Sequence, residues 1–216
     1  MTRRIRSYES DALIVDYDVK RCIHAAECVR GLPSVFDPTR RPWIEPSGAP
    51  AAALVRVIEQ CPTGALRYRR KDGGPEEEPP GTNTAEICAD GPMYLSGRLR
   101  LTLASGEVVE ETRMALCRCG GSSDKPFCDN SHGQEGFSDP GVIVENRLKE
   151  GGEVETGVLE ISLAKNGPIL IRGQLELRSV DGAIQRGNKG ALCRCGLSAG
   201  KPFCDGTHAE GGFVAD

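Results

Sequence analysis

Two stretches of this chain alternate apolar and polar residues with a period of two: MYLSGRLRLTL at 93–103 and ILIRGQLELRS at 169–179. That period puts every second side chain on one face and predicts strands. Gly97 and Gly173 interrupt the alternation at the same point and predict a β-bulge in each strand. A different period appears at Leu54, Val57, Ile58 and Cys61, which lie at i, i+3, i+4 and i+7. This predicts a helix with Pro50 in its first turn, Cys61 at the end of its buried face and Pro62 stopping it. Between these patterns, GGPEEEPPGTNT at 73–84 cannot bury a face and reads as a semi-extended linker.

The two strand patterns belong to an internal duplication with an offset of 76 residues. Gly91-Pro92 maps to Gly167-Pro168, Leu101 to Leu177, Ala115-Leu116 to Ala191-Leu192 and Phe137 to Phe213. Copies of one supersecondary unit bury one another. After each strand region comes a loop of turn-forming residues. A short helical turn follows, in which Asp129 or Asp205 suits the N-terminal end. The expected organisation is a first domain at 1–72, a linker at 73–84, and repeats at 85–140 and 141–216. The fold class is α+β and β-rich.

Composition makes the core thin: 38% hydrophobic and 5% aromatic residues, with 27 Gly and 14 Pro in 216 residues. Small units of this kind need a staple, and metal binding supplies folding free energy directly. No apolar run reaches the roughly 18 residues of a membrane helix, and the N-terminus carries no signal-peptide pattern. A net charge of −4 without a basic stripe argues against nucleic acid. The RYRRK run at 67–71 reads as a solvated strand end.

The candidate chemistry lies in the ten cysteines, nine of which form three sets of three. Two sets are near-copies, Cys117, Cys119, Cys128 with His132, and Cys193, Cys195, Cys204 with His208, each spaced C-x-C-x8-C-x3-H. C-x-C pairs suit metal ligation better than disulfides, which points to a reducing, cytoplasmic setting. A Cys3His zinc site is permitted by ligand count. The single tight loop, unlike the separated pairs of zinc fingers, argues against it. Ser122 and Ser198 are expected to offer hydroxyls to an acceptor such as sulfide. Cys88 aligns with Ala164, so it reads as a packed or free thiol.

These residues resemble the CDGSH iron–sulfur family, the mitoNEET-like proteins, over roughly residues 86–213 in two copies. The resemblance implies two 2Fe-2S clusters, each held by three Cys and one His. It assigns Cys117, Cys119, Cys128 and His132 to one cluster and Cys193, Cys195, Cys204 and His208 to the other. The first copy departs at Asn130, where the family has Gly. Asn tolerates positive φ, so the turn is expected to survive. Single-motif members are intertwined homodimers, and the duplication is expected to build that pair inside a monomer with pseudo-twofold symmetry.

Upstream, Cys22, Cys28 and Cys61-Pro62 resemble the ligands of single-cluster bacterial ferredoxins over about residues 14–68. The phrases CVRGLPSVFD and PWIEP carry the same likeness. Ala25 stands where that family has its middle cysteine, so a 3Fe-4S cluster is the expectation and 4Fe-4S the alternative. His24 reads as a neighbour of the cluster rather than a ligand.

No nucleophile–base pair, phosphate loop or nucleotide fingerprint is present, so no enzyme is expected. One imidazole per cluster should raise its potential, as two do in Rieske centres. Its outer nitrogen could couple electron uptake to a proton. The resulting expectation is electron transfer to redox partner proteins, whose basic surfaces would suit the acidic chain. Storage or transfer of clusters to apo-acceptors, or redox or pH sensing, is the alternative. A structural zinc module is the third.

Overall fold

A computed structural model describes residues 4–151 and 157–215 of the chain. The chain divides into two compact units, Met1–Glu78 and Pro79–Asp216. It is β-rich with few helices. Among the described residues no helix is long and apolar enough to cross a membrane.

The first unit is a three-stranded antiparallel sheet in the order β1 (Ile5–Glu9), β2 (Leu13–Asp18), β3 (Leu66–Arg70). Between β2 and β3 run a short helix, α1 (Glu27–Gly31), and a longer one, α2 (Ala51–Glu59). Pro50 caps α2, and Leu54, Val57 and Ile58 are buried, as the helical period predicts. Each such side chain contributes about 1.5–3 kcal/mol on burial. They pack with Leu13, Val15, Phe36 and Ile44. Unlike the expectation, α2 stops at Glu59, and Cys61 lies in the turn beyond it, its N–H donating to Ile58 O at 2.9 Å. The RYRRK run is neutralised by the chain's own acids: Arg69 pairs with Asp16, Arg70 with Asp72 and Lys71 with Glu9.

The second unit is a six-stranded sheet built from β4 (Thr84–Ile87), β5 (Met93–Thr102), β6 (Val108–Leu116), β7 (Val158–Leu163), β8 (Ile169–Arg178) and β9 (Ile184–Leu192). The linker expected at 73–84 gives way to β4 at its last residue. Asn83 is already buried, accepting from Arg98 N and donating to Gly157 O and Gln174 O.

The pairings repeat at the 76-residue offset. Thr84↔Ser96 in β4–β5 recurs as Glu160↔Arg172 in β7–β8. The parallel pair Thr84↔Glu176 recurs as Arg100↔Glu160. One edge of β5 therefore meets β4 along its first half and β7 along its second, and β8 meets β7 and then β4. The change of partner falls at the register shifts between Ser96 and Leu99 and between Arg172 and Leu175. These shifts contain the two glycines that interrupt the alternation. Gly97 has φ +142°, and a Cβ there would lie 2.2 Å from Asn83 Oδ1; Gly173 has φ +125°, with Val158 O at 2.2 Å. No other residue fits such a crossing. The alternating apolar residues, among them Leu95, Leu99, Leu101, Leu175 and Leu177, form one core shared by both repeats.

Candidate metal centres

Each motif loop starts where the last strand of its repeat ends. β6 ends at Leu116, and the loop returns to pair with it: Cys117 N donates to Pro126 O at 2.8 Å and Cys128 N to Ala115 O at 3.0 Å. In the second copy, Cys193 N donates to Pro202 O at 2.8 Å and Cys204 N to Ala191 O at 2.9 Å. This pairing holds the third cysteine beside the first, although ten residues separate them in sequence. The turn carrying the histidine is set by Asp129, whose carboxylate accepts from Ser123 N at 2.8 Å and Ser131 N at 3.1 Å. Asp205 does the same with Ala199 N and Thr207 N. Burial opposes ionisation of Asp129, but the Ser131 and Ser123 hydrogen bonds outweigh it and hold its carboxyl well below the usual range. Asn130 takes the left-handed conformation, φ 75°, where the second copy has Gly206 at 94°.

The donors stand two by two. Cys117 Sγ and Cys119 Sγ are 3.6 Å apart, and Cys128 Sγ and His132 Nδ1 are 3.4 Å apart. The second copy gives 3.6 Å for Cys193–Cys195 and 3.3 Å for Cys204–His208. Two thiolates on one tetrahedral centre with bonds of about 2.3 Å would be separated by about 3.8 Å. Each pair thus has the bite of one tetrahedral metal. Among the described residues no three Cys, His, Asp or Glu side chains gather closely enough for a single ion.

In the first motif the two C-x-C sulfurs stand within hydrogen-bonding distance of one another. A hydrogen bond from Cys119 lowers the Cys117 thiol to about 6 against the effect of burial, and Cys119 is pushed up by the same contact. A bound metal would require that thiol proton to be given up. Burial pushes Cys128 and Cys195 up to about 11. Backbone N–H groups point at the sulfurs, with Gly121 N 3.4 Å from Cys119 Sγ and Asn130 N 3.4 Å from Cys128 Sγ. Such donors stabilise thiolate or cluster charge. Burial lowers His132, favouring the neutral imidazole that a ligand must be.

Ser122 and Ser198 depart from expectation. Their hydroxyls donate to Phe127 O at 2.6 Å and Phe203 O at 2.7 Å, and accept from Asp124 N and Gly200 N. They brace the loop, each hydroxyl proton being committed to a backbone carbonyl.

Three features went unread in the sequence. An antiparallel bridge joins Cys119 to Cys195, so the two C-x-C loops lie back to back. Gly120 and Gly196, both at φ 82°, make this possible: a Cβ on either would sit 2.6 Å from the other loop's cysteine carbonyl. The third is the arginine inside each C-x-C. Arg118 is buried, paired with Asp139, donates to Cys88 O at 2.7 Å and lies 5.5 Å from the Phe137 ring. Arg194 donates to Ala164 O and Gly167 O and lies 5.5 Å from Phe213. The repeated C-R-C was the signal available for it. Cys88 is half-buried, and burial raises its thiol; its carbonyl plays the part that Ala164 plays in the second copy.

In the first unit, Cys22, Cys28 and Cys61 line one small cavity with Ala25 between the first two. Burial, and then the charges of Cys61 and Cys22, push Cys28 up to about 11. His24 and Ala26 both have positive φ, 59° and 66°. Left-handed backbone at two non-glycine residues flanking Ala25 is a strained geometry of the kind found at functional loops. His24 is exposed. Three soft donors around one cavity fit an iron–sulfur cluster.

Two families that match the chain show its class: this is an iron–sulfur protein. The family described as divergent 4Fe-4S mono-cluster matches residues 8–71, and the family described as iron-binding zinc finger CDGSH type matches residues 90–133 and 166–209. The chain belongs to the CDGSH-type iron–sulfur proteins, with two tandem motifs and an N-terminal divergent single-cluster domain. It is 41% identical over 66 residues to the uncharacterized protein YjdI of Escherichia coli (strain K12), covering 31% of this chain and 87% of that protein. YjdI of Escherichia coli O157:H7 gives the same figures. No solved structure matches the chain.

Proposed function

We propose that the chain carries electrons through two 2Fe-2S clusters and one ferredoxin-type cluster. Cys117, Cys119, Cys128 and His132 would hold the first, and Cys193, Cys195, Cys204 and His208 the second. When bound, the clusters supply one-electron chemistry at potentials that a single imidazole ligand raises. The two-by-two donor spacing supports a two-iron centre over one zinc ion, because four ligands on one ion would all be mutual neighbours. Cys22, Cys28 and Cys61 would hold the third cluster. With Ala25 in the middle position, three thiolates favour 3Fe-4S.

The observation that carries the reading is the Cys119–Cys195 bridge. Paired Cα atoms of an antiparallel bridge are about 5 Å apart, so a ligand of each cluster is within a side-chain length of the other's loop. Together with the repeated register, this supports a pseudo-twofold unit with both clusters at one end, complete within a monomer. Electrons entering either centre would reach the other before leaving to a partner with a basic face. We assign no catalytic residue.

Cys204, His132 and His208 are only half-buried, which favours a second reading, delivery of clusters to an apo-acceptor. One experiment separates the two. The protein is reduced, reoxidised repeatedly and mixed with an apo-ferredoxin, with iron and sulfide counted throughout. Reversible cycling with clusters retained is expected, together with magnetic coupling between the two reduced centres. Transfer to the acceptor faster than reoxidation, or two uncoupled signals, would overturn the electron-carrier reading.

A further inference from the structure

The first unit carries a concave site that extends from the loop of Cys22 and Cys28 well beyond the three cysteines. It is an open pocket of about 710 Å³ bounded by the β1–β2 face, the loop holding Cys22 and Cys28, and the segment around Pro42. Pockets of this size accept small organic ligands. In the register of β1 and β2, Arg6 stands opposite Tyr17 and Tyr8 opposite Val15, so these four share one face. Trp43 closes the side, packed edge-on against Tyr17 with ring centroids 5.0 Å apart. Tyr8, Tyr17 and Trp43 give the pocket flat aromatic walls. Aromatic residues are 5% of the chain, so three on one pocket is a concentration.

Two cations complete it. Arg6 and Arg41 line the same pocket, and both are exposed. Two other arginines of this unit's sheet are matched to acids, Arg69 to Asp16 and Arg70 to Asp72. Among the described residues neither Arg6 nor Arg41 pairs with a carboxylate. Arg41 donates only to backbone carbonyls, Pro38 O and Arg40 O, through one nitrogen. A guanidinium fork is suited to a planar or tetrahedral anionic group, and aromatic walls to a flat ring.

We propose that this pocket binds a planar aromatic anion, with the ring against Tyr8 and Trp43 and the anionic group on Arg6 and Arg41. Cys22 and Cys28 line the same pocket, so the ligand would lie against the N-terminal cluster's loop. The assignment stands apart from the electron-carrier reading: binding is measured without turnover, and its failure would leave the cluster content and cycling results untouched.

Trp43 is the single tryptophan of the chain, which makes the test local. Anthraquinone-2-sulfonate is titrated into the intact, iron–sulfur-loaded protein while Trp43 fluorescence and binding heat are followed. A ligand of its size predicts saturation with a dissociation constant on the order of tens of micromolar. R6Q/R41Q should weaken binding about tenfold or more. The control R69Q/R70Q, which removes the same charge outside the pocket, should leave it unchanged. The uncharged 2-(hydroxymethyl)anthraquinone should bind at least about tenfold more weakly. No saturation to millimolar concentration, equal affinity in R6Q/R41Q, equal loss in the control pair, or equal binding of the neutral analogue would each overturn the proposal. So would an R6Q/R41Q variant that loses binding only together with its iron.

Discussion

Replacing Arg118 with Met should destabilise the second unit by several kcal/mol. The side chain is 2% exposed and its partner Asp139 11%. Met keeps most of the volume but removes the charge, leaving a buried carboxylate with Gly141 N at 3.0 Å as its remaining donor. Breaking one side of a buried ion pair costs about 3–5 kcal/mol. For a chain of this length that is a fall in midpoint of roughly 6–20 °C, at 2–4 °C per kcal/mol. Burial already works against the guanidinium and pulls its pKa down, so the pair persists only because Asp139 and Cys88 O meet it. The companion Arg118→Met/Asp139→Leu removes both charges and should recover most of the loss. About 1 kcal/mol would remain for the hydrogen bond lost at the Cys88 carbonyl, which keeps Gly91 N as a donor at 3.4 Å. Thermal melts followed by circular dichroism and by cluster absorbance give both numbers. If Arg118→Met melts within about 2 °C of the parent, or the double variant is worse than the single, the reasoning fails.

Ser122→Ala should cost about 1–2 kcal/mol in stability by removing the hydrogen bond to Phe127 O, while the reduction potential of the first cluster stays put; a shifted potential would return Ser122 to the cluster. Gly120→Ala should strain the loop by about 1–3 kcal/mol through its left-handed φ alone, and its Cβ would press on Cys195 O. Iron should therefore become labile in both motifs, and loss confined to the first would contradict the back-to-back arrangement. Asp16 is held below its ordinary value of 3.8, hydrogen bonds from Arg69 and Ser7 outweighing burial. Its folded value lies below its unfolded one, so the stability it contributes is present above about pH 4 and lost as pH falls through the folded value. Acid titration of unfolding should show a shallower slope there in Asp16→Asn, and an unchanged slope would refute the linkage.

Local chemistry was legible in the sequence where a residue type answers a local demand. The bulges at Gly97 and Gly173, the left-handed turn at Asn130 and the buried face of α2 all follow from period and backbone freedom within a few residues. The strands β4 and β7 did not, because four and six residues are too short for a period to declare itself. Nor did their exchange between β5 and β8, which depends on hydrogen-bonding edges meeting across the chain. Asp139 lies 21 residues from Arg118, and only the folded loop brings them together. The candidate sets could be picked out because motif spacing groups them, and the fold adds the side-by-side placing of Cys117 with Cys119 and of Cys128 with His132. The Cys119–Cys195 contact could not be picked out, since it arises between repeats. Ser122 was misread for a related reason: a hydroxyl in a metal loop can serve the loop or the metal, and spacing does not distinguish them.

The central claim is that paired thiolates and imidazoles hold iron bridged by sulfide. Metal and acid-labile sulfide analysis of the isolated 216-residue chain tests it most directly. The account predicts about seven iron and eight sulfide atoms per chain, with no stoichiometric zinc. One zinc ion per C-x-C-x8-C-x3-H loop, with sulfide absent, would contradict it.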